Sequence, residues 1–218
     1  MEYVYAETLK KEFKVLASFY TEQVKGEEFH CRKIAFVMQK GIQNIQRPDA
    51  FIILMNPGSS APKGKKSSSP FLYLEVPSKL PLVEAKPDPT QYQIMRLMRL
   101  KGWNCVGILN LSDIRAGNSD EFKILLEKAE LTGFHSHSIF SSTRINELVS
   151  IINSSNGPII TAWGTNELLE PLANRALSIL PSSRLKGLEH INKPFYYHIN
   201  PILKERQLEV LTKLQEMI

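Results

Sequence analysis

Short apolar runs alternate with longer amphipathic stretches along this chain, and the alternation sets the expected elements. Residues 12–20 (EFKVLASFY) and 29–38 (FHCRKIAFVM) are β-prone, and the polar VKGEE stretch between them reads as a hairpin connection. FIILMN at 51–56 is a short apolar run ending in Pro-Gly, the pattern of a buried parallel strand stopped by a turn. CVGILNL at 105–111 and PIITAWG at 158–164 predict two further buried strands, and PFYYHINP at 194–201 a fourth strand or its exit. Between them lie helical patterns. Asp88 as N-cap and Pro89 at the first helical position open one that runs through IMRLMRL to Gly102. Others cover FKILLEKAEL at 122–131, residues 144–153, residues 166–180 and a closing amphipathic helix over 203–217.

Strand and helix alternate, and the strands are too hydrophobic to have a wet face. That order predicts an α/β fold: a three-layer α/β/α sandwich around a central, mainly parallel four-stranded sheet. An N-terminal β-hairpin over 1–48 extends it, and residues 1–218 form one domain. Residues 59–90 break the pattern, being small, basic and proline-rich, and read as a long surface loop of the kind that carries function. In such sheets ligands bind at the carboxyl ends of the strands. Those ends carry Asn56-Pro57-Gly58, Asn110, Trp163-Gly164 and His198.

Composition narrows the class. With 43% hydrophobic and 22% charged residues, the chain of 218 residues matches a soluble domain with a sizeable core. No apolar run approaches the roughly 18 residues of a membrane helix, and MEYVYAETLKKEFK lacks the apolar core of a secretory signal, so a cytoplasmic protein is expected. Two cysteines, Cys31 and Cys105, cannot make a four-cysteine cluster site and read as reduced core thiols. His135 and His137 have no acidic or cysteine ligands beside them in sequence, so no metal and no cofactor is expected. The net charge of +5 is compatible with a polyanionic partner.

Four fragments then stand in order at the four strand ends. LMNPGSSA at 54–61 resembles the first motif of the mismatch-specific branch of the uracil-DNA glycosylase superfamily, ILNLSDIRAG at 108–117 its LLN strand and RAG loop, ITAWGTN at 160–166 its LLWG strand, and HINP at 198–201 its second motif. The resemblance implies a uracil-DNA glycosylase-like fold and a monofunctional DNA glycosylase. Such an enzyme flips a base out of duplex or single-stranded DNA, hydrolyses its N-glycosidic bond and leaves an abasic site, acting as a monomer. Three departures stand out. Asn56 replaces the Asp of the fastest uracil enzymes, Ile199-Asn200-Pro201 lacks the usual Ser, and the loop after the first motif is long. They point to a modified or mismatched pyrimidine rather than uracil, in DNA repair or in defence against foreign DNA.

The resemblance also implies roles. Asn56 would hold the attacking water, since an amide near neutral pH positions rather than removes a proton; Asn-Pro-Gly makes a turn in any case. Asn110 would read the flipped base with one donor and one acceptor. His198 would donate to the oxyanion developing on the base. Phe71 or Tyr73 would stack on that base. Ser59, Ser60, Lys63, Lys65 and Lys66 would contact phosphates, and Ile202 and Leu203 would wedge into the duplex or open the last helix's buried face. Asp88 and Asp113 are the acids expected near the site, Asp88 as an N-cap. Two other readings fit the same strand ends: a non-catalytic nucleic-acid binding module, and a hydrolase of free nucleosides or nucleotides.

Overall fold

The computed structural model describes residues 2–42, 47–64 and 81–218. The expected hairpin forms from β1 (Phe13–Val24) and β2 (Glu27–Gln39), after a short helix α1 (Ala6–Glu12). Its two-residue loop, Lys25-Gly26, has φ of 49° and 86°; positive φ at both positions matches the right-handed twist of paired strands.

β3 (Ala50–Leu54) and β5 (Cys105–Asn110) are buried along their whole length, as their apolar runs require. They lie side by side in parallel, with Leu54 opposite Asn110. Gly107 makes the close fit possible, because a Cβ there would collide with the Phe51 ring. β6 (Ile159–Thr161) pairs in parallel with β3, and β7 (Leu185–Lys186) in parallel with β6. On the other side β2 pairs antiparallel with β5, and β4 (Val83–Glu84) antiparallel with β1.

The result, among the described residues, is a mixed seven-stranded sheet in the order β4-β1-β2-β5-β3-β6-β7. This corrects the expectation of a mainly parallel four-stranded sheet: the hairpin strands are part of the sheet itself. Residues 194–201 are also corrected, for they make only isolated bridges, Tyr196 with Gly164 and with Glu189. Pro62 bridges Ala85, so the two described ends of the 59–90 stretch lie together.

Helices cover both sides of the sheet. α1, α2 (Pro89–Lys101) and α6 (Lys204–Met217) pack on one face, over Ala35, Val37, Ile52, Val106 and Ile108. α3 (Ser119–Thr132), α4 (Ile145–Asn153) and α5 (Glu170–Ile179) pack on the other, over Phe36, Phe51, Ile53 and Leu109. α2 starts where its cap residues dictate: Asp88 Oδ1 accepts from Gln91 N at 2.8 Å, and Gln91 Oε1 accepts from Asp88 N at 3.1 Å. No described helix is long and apolar enough to cross a membrane.

Candidate functional site

Asn56 follows β3 and is half-buried. Its Nδ2 donates to Ala116 O at 3.1 Å and to Ile114 O at 3.4 Å. Both amide hydrogens are thus committed to the loop after β5, and Oδ1 remains as an acceptor that no donor among the described residues meets. That loop is held rigidly. Leu111 and Ser112 donate their N–H groups to Leu54 O (2.8 Å) and Met55 O (3.1 Å). Ser112 Oγ lies 2.9 Å from His137 Nδ1. The Asp113 carboxylate accepts from Arg144 Nη1 at 2.6 Å and from the Tyr20 hydroxyl at 3.0 Å. Burial pushes the Asp113 carboxyl up to about 6, against the pull of the Arg144 guanidinium. Asp113 is therefore a buttress of the loop, and Asp88 is the N-cap of α2.

Asn110, at the end of β5, has 0% exposure and sits beside a residue that the motifs did not single out. Arg32 Nη2 reaches Asn110 Oδ1 at 3.4 Å, and Arg32 is 1% exposed. A β-bulge brings it there. Ser18 pairs with Ile34, but Phe19 pairs with Arg32, so Lys33 is an extra residue in β2. With regular pairing Lys33 would stand opposite Phe19. Instead Lys33 reaches Glu147 at 2.9 Å and Arg32 takes the place next to Asn110. Arg32 Nε and Nη1 and Asn110 Nδ2 are buried with no hydrogen-bond partner among the described residues. Burial pushes the guanidinium down to about 10, while Asp88 and Asp113 act at a distance in the opposite direction. Asn110 was expected to offer a donor and an acceptor together; its acceptor is turned to Arg32 and its donor is free.

His198 lines a cavity of about 800 Å³ together with Met55, Trp163, Gly164 and Tyr197. Its Nδ1 lies 3.2 Å from Asn200 N and 3.3 Å from Asn200 O, accepting from the first or donating to the second according to the tautomer. Burial lowers its pKa below the ordinary value, opposed by Asn200 and by the charge of Asp88. A neutral ring with Nδ1 accepting carries its proton on Nε2. Trp163 is fixed by Nε1 donating to Pro194 O at 3.2 Å, and Gly164 N donates to Tyr196 O at 3.0 Å.

Asn56, Asn110 and Trp163-Gly164 thus share one rim of the sheet, and His198 joins it through the cavity. Asp88 links the rim electrostatically, its charge acting on both Arg32 and His198. Ser59 is exposed whereas Ser60 is buried with an unpartnered Oγ, so the two serines occupy different surroundings. Lys63 is spent on an exposed ion pair with Glu84 at 2.8 Å. Ile202 and Leu203 are 97% and 64% exposed and precede α6, so neither opens its buried face. Phe71, Tyr73, Lys65 and Lys66 lie outside the described residues. One signal could have revealed Arg32: side chains alternate in a strand, so of two adjacent basic residues in an apolar run one must face inward.

No family model matches this chain, and no curated protein matches it in sequence.

Proposed function

We propose that this protein is a monofunctional DNA glycosylase with a uracil-DNA glycosylase-like fold, acting on a modified or mismatched pyrimidine. The observation that carries the reading is His198 at the cavity wall, its pKa lowered by burial; in the tautomer whose Nδ1 accepts from Asn200 N, its Nε2–H is a donor. In this reading water attacks the sugar carbon, and the N-glycosidic bond breaks with its electron pair leaving on the base. Asn56 Oδ1 holds the water by accepting one of its hydrogens, and the second proton from the water passes to solvent. His198 Nε2–H stabilises the negative charge on the base oxygen, the term that commonly dominates such catalysis. The nucleotide must leave the stack for any of this to happen, and the exposed pair Ile202 and Leu203 suits the wedge that holds the gap open.

The test is incubation with duplexes bearing uracil, mismatched pyrimidines or bulky modified pyrimidines, followed by alkali. Cleavage at a modified or mismatched base is the expected result. Absence of abasic sites on every duplex overturns the reading. A second reading, an N-glycoside hydrolase of free nucleotides, draws support from the buried, unpaired Arg32 guanidinium, which suits a small anionic ligand. Turnover of free nucleotides but not of DNA selects it.

A further inference from the structure

Arg32 carries a permanent charge into the protein interior without an ion pair among the described residues. At 1% exposure its guanidinium makes one bond among the described residues, a 3.4 Å contact to an amide oxygen, and Nε and Nη1 have no partner there. Both acids whose charges reach it have partners, although Asp113 engages them through Oδ2 alone and its buried Oδ1 has none among the described residues. Asp113 is held by Arg144 and Tyr20, and Asp88 caps α2. A second guanidinium, Arg115, lies close enough to repel Arg32 and also has a buried, unpartnered Nε. Besides Asp113 Oδ1, two buried donors, one at Arg32 and one at the cap that holds Asp88, lack partners among the described residues. Asn110 has spent its oxygen on Arg32 and keeps Nδ2. Gln91, beside Asp88 in the cap of α2, has spent its oxygen on Asp88 N and keeps Nε2. Buried cations and donors left this way are costly, and fitting anionic oxygens would satisfy both at once.

We infer that Arg32 and Asn110 form a buried receptor for an oxyanion of the ligand, a phosphate or carboxylate whose paired oxygens fit the guanidinium edge. The inference rests on placing the ligand at Asn110, as in the glycosylase reading. It deepens that reading in one respect. An edge of donors rejects a ring N–H, so an unsubstituted uracil does not fit it, whereas a negatively charged ligand group does.

The experiment reads melting temperature in inorganic phosphate against chloride of equal ionic strength. Phosphate near 100 times its Kd raises the melting temperature of the wild type by about 5–10 °C. Arg32→Met removes the charge at similar length and abolishes the shift. Asn110→Asp builds a carboxylate beside Arg32; it melts above the wild type in chloride and no longer responds to phosphate. No phosphate shift in the wild type, or an equal shift in all three proteins, overturns the inference. So does an Asn110→Asp variant that melts below the wild type and still responds. Two further ligands identify the source of the oxyanion. Protection by a nucleoside 5′-monophosphate but not by its nucleoside assigns it to the phosphate, and protection by a free pyrimidine carboxylic acid assigns it to the ring; either supports the receptor. Base excision by a protein indifferent to phosphate overturns the receptor alone. A phosphate shift without excision on any duplex overturns the glycosylase reading alone.

Discussion

At the scale of single residues, protonation at His198 decides what the site can do. Its folded-state pKa is lowered, with burial as the largest cause. The neutral form therefore persists below the ordinary histidine value of about 6.5. The unfolded chain takes up the proton first as pH falls, so acid weakens the fold and the donor arrangement together. The rate of base excision is expected to stay flat from neutral pH down past 6.5 and to fall only below it, and His198→Ala to lose about 10²–10³-fold in single-turnover rate together with that acidic limb. A rate that instead rises as pH falls through this range would show an imidazolium at work. The positions of Asn56 and Asn110 at strand ends were legible because apolar runs end at them, whereas His198 lies in a segment that forms no strand. Arg32 was only half legible: alternation separates it from Lys33, but a bulge leaves no mark in the residue types to say which of the two stands beside Asn110.

At the scale of elements, fully apolar runs announced β3 and β5, and the Asp88-Pro89 and Gly102 signals announced α2 at both ends. β7 was not legible, because two half-buried residues carry no periodicity. Residues 194–201 looked like a strand because Phe195, Tyr196 and Ile199 are buried, but the burial comes from packing against Trp163 and the helices rather than from a ladder. The end of β3 and the loop after β5 act as one unit, since Asn56 clamps the loop through two carbonyls. Replacing Asn56 by the Asp of faster uracil enzymes removes both donors and sets a negative charge against those carbonyls. Asn56→Asp is expected to lower stability to urea by about 1–3 kcal/mol. An unchanged unfolding midpoint and slope would show that the clamp is weak.

At the scale of the whole molecule, the mixed sheet gathers its polar residues on one rim. The parallel pairs put the carboxyl ends of β3, β5 and β6 together, and the antiparallel β2 brings its opening half, with Arg32, to the same end of β5. Both outer strands of the sheet, β4 and β7, are two residues long, and β4 pairs with only Leu16 and Ala17 of the twelve residues of β1. The exposed residues before α6 belong to this scale because they can matter only to something outside the fold. Ile202→Ala with Leu203→Ala is expected to melt as the wild type does, to slow excision from duplex DNA, and to leave excision from single strands unchanged. Equal losses on both substrates would remove the wedge role. The parallel part of the sheet was legible in the apolar runs; the place of the hairpin within the sheet was not, because pairing between distant strands leaves no local sequence signal.

The extra residue in β2 behaves like a frame shift written in backbone geometry. One position decides whether a lysine or an arginine stands beside Asn110, with no change in which amino acids the strand contains. A lysine there would be a flexible point charge able to shed its proton in an apolar setting, whereas the arginine is a planar fork that keeps its charge. A one-residue slip in this strand would therefore change the chemistry of the rim as thoroughly as a substitution would.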